Sequence, residues 1–226
     1  MDPIAAIINK LIQQHLPSIN QAIAGQVRSR NLDPLVHVAS GSTRLGSINL
    51  GLCTAYVEAG YEVDNLRGLS SLTIGSLQVE ACGTCPQTPG QVNGTLSILG
   101  SLGGISAGIG GNVKAGCGFI SHSVGLSGNA SASSVQANGT GSFQASIANG
   151  QVSLNSVQLN QLEIHYSGLT VNINGLGIFN DFLRPLDNFI LGLFYGQISS
   201  VVAQALTPVL NTQIGNVLPL STSLSA

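Results

Sequence analysis

An α+β fold is predicted for this 226-residue sequence: a long, highly curved antiparallel sheet wrapped around a long C-terminal helix, with an N-terminal helix packed alongside. Three observations carry the prediction. From Asp181 to Val217 an apolar stripe recurs at helical spacing (Phe182, Leu186, Phe189, Ile190, Leu193, Phe194, Ile198, Val201, Val202, Ala205, Val209, Leu210, Ile214, Val217). A second stripe occupies the N-terminus. Between them, residues 35–174 read as alternating strands, with Gly and Ser at the small positions. A helix over 181–218 is on the order of 50 Å long, and the preceding strands are the only material that can cover it.

The N-terminal helix is placed at 1–30. Ile4, Ile7, Ile8, Leu11, Ile12, Leu16, Ile19, Ile23 and Val27 fall three, four or seven apart and form one face. Asp2 before Pro3 suits an N-cap followed by proline at the first helical position. Pro17 is expected to kink the helix, which also suits a movable flap over an apolar interior. Asn31-Leu32-Asp33-Pro34-Leu35 ends it. Strands are expected over 47–58, 61–66 and 72–81, with turns at Ala59-Gly60 and at Arg67-Gly68-Leu69-Ser70.

From 90 to 160, Leu96, Ile98, Ile105, Ile109, Val113, Phe119, Val124, Leu126, Val135, Phe143, Val152 and Leu154 alternate with tiny or polar partners. Such strands have one apolar and one smooth, uncharged face, and their glycines suit bulges and bending. A last strand pair, Leu162–Tyr166 and Leu169–Ile173, is divided at Ser167-Gly168. Pro208 is expected to kink or interrupt the long helix, and 219–226 reads as a frayed tail. No repeat or linker divides the chain, so 1–226 is read as one domain.

Charge is sparse, 7% Asp, Glu, Lys and Arg, with a net charge of −2. The seven basic residues (Lys10, Arg28, Arg30, Arg44, Arg67, Lys114, Arg184) stand singly. Nucleic-acid binding, which needs several phosphate contacts, is excluded. A hydrophobic share of 43% with clear periodicity argues against disorder. No charged residue follows Asp187, but Gln197, Ser199, Ser200, Gln204, Thr207 and Pro208 interrupt the apolar run, so a spanning helix is not expected.

The four cysteines, Cys53, Cys82, Cys85 and Cys117, suit two disulfides in a secreted chain, with three pairings open; free core thiols are the alternative. Cys82-Gly83-Thr84-Cys85 runs into Pro86-Gln87-Thr88-Pro89-Gly90, a turn rather than a helix, which favours a stapled loop over a redox motif. A zinc site lacks two obvious further ligands, and no metal or cofactor is expected. Asn93, Asn129 and Asn138 begin N-glycosylation patterns.

Catalytic signals are weak. Gly104-Ile105-Ser106-Ala107-Gly108 fits a nucleophile elbow in spelling, but Ile109-Gly110-Gly111 follows instead of a helix. Glu163 and His165 stand in the right order for a triad without other support. Glu58 and Glu62 flank a supposed turn, Asp181 and Asp187 open a helix, and His15, His37, His122 and His165 are isolated. No catalytic residue is assigned and no enzyme is expected.

Several short motifs carry a family resemblance. Met1-Asp2-Pro3-Ile4 with Ile8-Asn9-Lys10, Leu32-Asp33-Pro34-Leu35, Leu66-Arg67-Gly68-Leu69-Ser70 and Ala205-Leu206-Thr207-Pro208-Val209 resemble segments of the tubular lipid-binding superfamily. That group includes bactericidal/permeability-increasing, juvenile-hormone-binding and takeout proteins. The motifs most resemble those of the group-seven dust-mite allergens. Segment 90–150, the four cysteines and the missing charge depart from the mite pattern.

The resemblance implies an arthropod-like secreted carrier of a lipid-like or polyisoprenoid molecule. The lining expected from the residues is Phe182, Phe189, Ile190, Leu193 and Phe194 on the helix with Leu96, Ile98, Ile164 and Val171 on strands; a filled core is the alternative. The other functional reading is an interfacial or structural secretion, such as a surfactant, coat or silk-like component. It would contact a membrane or interface transiently and self-associate through its uncharged Gly/Ser-rich surface.

Overall fold

A computed structural model describes residues 3–49, 51, 53–83, 89–117, 120–217 and 221–223. The N-terminal stripe forms α1 (Pro3–Ser29) without interruption at Pro17. Its buried side chains, Ala5, Ile8, Ile12, Leu16, Ile19, Ile23 and Val27, step by three or four along one face. Arg28 in the last turn complements the helix dipole. The N-cap expected at Asp2 lies outside the described residues.

The alternating middle becomes β1 (Ala39–Asn49), β2 (Thr54–Arg67), β3 (Thr73–Ala81), β4 (Gln91–Leu102), β5 (Ile105–Cys117), β6 (Ile120–Ala148) and β7 (Gln151–Asn174). They form one antiparallel sheet, in the order β1-β2-β5-β6-β4-β3, with β7 along the other side of β6. β6 is the spine. Its first part pairs with β5 (Ile105↔Ala132 to Cys117↔Ile120) and its second with β4 (Gln91↔Ser146 to Leu102↔Val135). β7 runs beside it from Ser127↔Asn174 to Ala148↔Gln151. Drawn straight, a 29-residue strand would reach roughly 95 Å at 3.3 Å per residue. The sheet instead curls into a half-barrel. Register shifts at Thr140/Gly141 and Gln144/Ala145 add the local twist that curling needs.

The strands are thus fewer and longer than the glycines suggest. Ala59-Gly60 lies inside β2 and Ser167-Gly168 inside β7, so neither is a turn between strands. Segment 47–58 is split between β1 and β2. At Gly141 a Cβ would run into the Gln158 carbonyl of the paired strand, so glycine there serves close approach of backbones. The turn at Gly68 is real: its φ is 100°, and a 3₁₀ turn at Leu69–Ser71 follows. The Asp33 carboxylate fastens this turn, accepting the Gly68 N–H (3.0 Å) and the Ser70 N–H (2.7 Å). The C-terminal tail is not wholly frayed, because β8 (Ser221–Ser223) pairs with Gln151–Ser153.

The long helix has three parts: α2 (Leu183–Leu193), a π-helical turn (Phe194–Ile198) and α3 (Ser199–Val217). The break in regularity therefore falls at Phe194 and not at Pro208, which α3 accommodates. Leu186, Ile190, Phe194, Ile198, Val202, Leu206, Leu210 and Ile214 are all buried, at intervals of four. Four residues of α-helix turn about 400°, so such a stripe gains about 40° per step. A π-turn, wider per turn, takes up part of that drift.

The helices also close the open edges of the sheet. Asn9 on α1 donates to the Val79 carbonyl (3.0 Å) and accepts the Val79 N–H (2.8 Å). Asn20 does the same for Ile74 (3.0 and 2.7 Å). On α3, Asn211 accepts the Leu159 N–H (2.7 Å) and donates to its carbonyl (3.3 Å). A primary amide offers one donor and one acceptor side by side, which matches the edge of a strand residue. Three asparagines thus stand in for missing strand neighbours on β3 and β7.

Candidate functional site

The apolar faces of sheet and helices meet in one interior. Among the described residues the buried side-chain polar groups are few: the Gln213 amide, the Tyr166 hydroxyl and one carboxylate oxygen of Asp187 stand out. The nine expected lining residues all belong to this interior. Leu96, Ile98, Ile164, Ile190 and Phe194 are buried in it, and Val171, Phe182, Phe189 and Leu193 are half-buried against it. Phe189 meets Tyr61 edge-on at 5.0 Å, and Phe194 meets Tyr166 edge-on at 5.8 Å. The residues expected to surround a ligand therefore pack against the protein's own side chains. The expected flap, α1, is pinned to β3 by the four asparagine hydrogen bonds.

Grooves among the described residues lie between the helices and strands, and three stand out. One, of about 780 Å³, lies between residues 160–165 of β7 and Tyr195, Ser199, Ala203, Gln204 and Pro208 of the long helix. A second, of about 1160 Å³, separates α1 at Asn9, Lys10 and Gln13 from β3 and β4 at Gln78, Val79, Glu80 and Thr95. The third, of about 730 Å³, runs past Asn93, Phe143, Gln158 and Asn211.

The first groove has the richest chemistry. The π-turn that forms its wall turns Phe194 inward, fully buried, and leaves Tyr195 61% exposed. π-turns within α-helices recur at functional sites because they re-aim side chains. Ser199 Oγ donates to the Phe194 carbonyl (2.7 Å), which the Ser199 backbone N–H also reaches across the π-turn. On the strand side, Glu163 accepts a hydrogen bond from Gln161 (2.9 Å) and lies 3.6 Å from His165 Nε2. Behind them, Tyr166 is only 7% exposed, and its hydroxyl has no hydrogen-bond partner within bonding distance and angle. Burial pushes the phenol pKa up, against a smaller pull downward from nearby Ser199. Tyr166, Tyr195 and Ser199 are absent from the expected lining; the sequence signal for them is the break of apolar pattern at Tyr195-Gly196-Gln197.

Elsewhere, Cys53 and Cys117 form a disulfide joining the start of β2 to the end of β5. Cys82 is disulfide-bonded as well, and Cys85 lies outside the described residues. Ser106 lies within strand β5 rather than at a strand-to-helix turn. Of the glycosylation candidates, Asn129 is exposed on β6, while Asn138 on β6 and Asn93 on β4 are half-buried. His37, isolated in sequence, sits 3.5 Å from Glu62 and donates its backbone N–H to Asp64 (2.7 Å). That bond and the Asn65 backbone hold the Asp64 carboxyl below its ordinary pKa. Potential ligand atoms of His37, Glu62 and Asp64 lie within 4.8 Å of one another on the surface.

No protein-family model and no curated sequence matches the chain. Among solved structures it is similar to lipopolysaccharide binding protein at 15% identity, over 96% of this chain and 38% of that one, with a TM-score of 0.33. It is also similar to Takeout 1 of Epiphyas postvittana at 12% identity, over 94% of this chain and 91% of that one, with a TM-score of 0.36. The chain thus spans well under half the length of the lipopolysaccharide binding protein. Neither likeness fixes a function, which has to come from the chain's own residues.

Proposed function

We propose that this protein binds and transports a lipid-like or isoprenoid hydrophobic molecule, outside the cell and without catalysis, with residues 1–226 acting as one unit. The observation that carries the reading is the interior itself: aliphatic and aromatic almost throughout, with Gln213, the Tyr166 hydroxyl and one Asp187 oxygen the buried polar groups that stand out among the described residues. Such a space rewards an apolar body, at roughly 25 cal/mol per Å² of surface removed from water, and offers little to a polar one. Phe182, Phe189, Ile190, Leu193, Phe194, Leu96, Ile98, Ile164 and Val171 are the proposed lining, repacking to admit the ligand. The disulfide between Cys53 and Cys117 supports an oxidising compartment. The motif resemblance to tubular lipid-binding proteins supports the same reading.

The test is native mass spectrometry of protein from its own source, followed by organic extraction. A recurrent adduct of defined mass, released on denaturation, is the expected result. A clean unliganded mass, together with refusal of added fatty acids and isoprenoids, would sink the carrier reading.

One observation favours a second reading. Along β6 the exposed positions are His122, Gly125, Ala148 and ten hydroxyl or amide residues (Ser121, Ser123, Ser127, Asn129, Ser133, Ser134, Gln136, Thr140, Ser142 and Gln144), and β6 carries no Asp, Glu, Lys or Arg over its 29 residues. A face without charge lacks the usual barrier to association and adsorption. If the protein works at an interface, unliganded material should lower surface tension and assemble as concentration rises.

A further inference from the structure

Two buried side-chain atoms among the described residues have no hydrogen-bond partner, the Tyr166 hydroxyl and one carboxylate oxygen of Asp187. Native proteins rarely leave such groups orphaned, since a buried polar atom without a partner has lost its water and gained nothing for it. Tyr166 is the more informative of the two because of where it stands. Its neighbours along β7, Ile164 and His165, border the groove beside the long helix, as do Tyr195 and Ser199 opposite. The Tyr166 ring contacts Phe194 of the interior on one side (5.8 Å) and Tyr195 of the groove on the other (6.3 Å). The phenol therefore stands at the junction between groove and apolar interior. On the groove side of it stands the Tyr195 ring, itself 61% exposed.

The groove's electrostatics narrow what could satisfy that donor. No Lys or Arg lines it. Its one carboxylate, Glu163, faces His165 and is exposed at the rim. A fatty carboxylate or a phosphate head would find no fixed countercharge there and would meet Glu163. A phenol is protonated at neutral pH, so the hydroxyl is a donor, and the Ser199 side chain beside it already donates to the Phe194 carbonyl.

We propose that the groove between β7 and the π-turn receives the head of an uncharged long-chain carbonyl lipid, an ester or ketone whose oxygen accepts the Tyr166 O–H while its chain enters the interior past Phe194. This rests on the carrier reading and adds head-group selectivity to it.

Displacement of bound N-phenyl-1-naphthylamine by methyl palmitate, palmitate and hexadecane, on the full chain and on Tyr166→Phe, tests it. The wild type should bind methyl palmitate about tenfold more tightly than hexadecane, and palmitate no better than hexadecane. Tyr166→Phe should bring the ester-to-alkane ratio to about one and leave hexadecane binding unchanged. Removing an orphaned hydroxyl should not lower the melting temperature, so loss of fold would not mimic the result. The sequence has no tryptophan, so Tyr195→Trp supplies a single indole at the groove. Its emission should shift with methyl palmitate and stay put in the double variant with Tyr166→Phe. Equal binding of all three compounds in both chains, or a preference for palmitate, overturns the head-group assignment and leaves the carrier standing. If wild type binds neither the dye nor any of the three, the carrier reading falls and this assignment with it.

Discussion

Replacing Asn20 with alanine should be among the costlier changes of a half-buried polar residue in this protein. The amide accepts the Ile74 N–H at 2.7 Å and donates to the Ile74 carbonyl at 3.0 Å, across 54 residues of sequence. Truncation leaves both backbone groups of an edge residue without a partner, beneath a helix that hinders water. At about 1–1.5 kcal/mol for each partly buried group, the loss comes to about 2–3 kcal/mol. Urea unfolding with an m of about 2–3 kcal/mol/M would show it as a midpoint lowered by about 1 M. Hydrogen exchange at the Ile74 amide should quicken well beyond that of its strand neighbours. Asn9→Ala should cost a similar amount through Val79. The two asparagines lie eleven positions apart, about 16 Å along α1, so the double variant should lose about 4–6 kcal/mol additively. Asn20→Asp keeps an acceptor for the N–H but turns an oxygen towards the Ile74 carbonyl, and should be no better than alanine. A loss below about 0.5 kcal/mol for each single variant, the level of an ordinary surface change, would refute the idea that these amides complete the sheet edge.

Three further outcomes are expected. Burial pushes the Asp33 carboxyl pKa up, but hydrogen bonds from the Ser70 side chain and from the Ser70 and Gly68 N–H groups, with Arg28 nearby, outweigh it and leave it below its ordinary value. Its contribution is thus full above the unfolded carboxyl value of about 3.9 and drains as pH falls through the lower folded value. Asp33→Asn should accordingly be less stable at neutral pH and converge with the wild type in strong acid, as read from melting curves across pH. Burial holds the Asp187 carboxyl above its ordinary pKa, the opposite sign, so its cost is absent in acid and grows as pH rises through the unfolded and then the folded value. Asp187→Asn should melt higher than wild type at neutral pH, with the gap closing towards about pH 3. Cys53→Ser with Cys117→Ser opens a crosslink across 64 residues of sequence, worth about 4 kcal/mol in chain entropy, and guanidinium unfolding of the double variant measures the loss.

The helices were legible because their signal is local. Ile8, Ile12, Leu16, Ile19 and Ile23 announce a face whatever lies opposite, and the stripe from Leu186 to Ile214 does the same. Strand ends were less legible, since glycine has two uses that look alike in sequence. Gly68 turns the chain with a positive φ, whereas Gly60 lies within β2, where a Cβ would meet the Asn112 side chain of β5. Which use applies depends on a neighbour about 50 residues away. Asn9, Asn20 and Asn211 read as polar residues on helix faces, and their role emerges only once an unpaired strand edge lies beneath them. At the candidate site, the members of the apolar interior could be named from periodicity. The groove could not, because Tyr166 and Tyr195 sit on elements far apart in sequence and meet only through the sheet's curl and the π-turn.

Buried positions at intervals of four give the long helix the character of a threaded bolt. Moving it along its axis by one interval is a step of about 6 Å, and seating the same side chains in the same hollows then demands a rotation of about 40°. Sliding and turning are therefore coupled. Shifting the helix along the sheet also means turning it. The π-turn at Phe194 is where the pitch of that thread changes, so the two halves of the helix are screws of one hand joined out of phase.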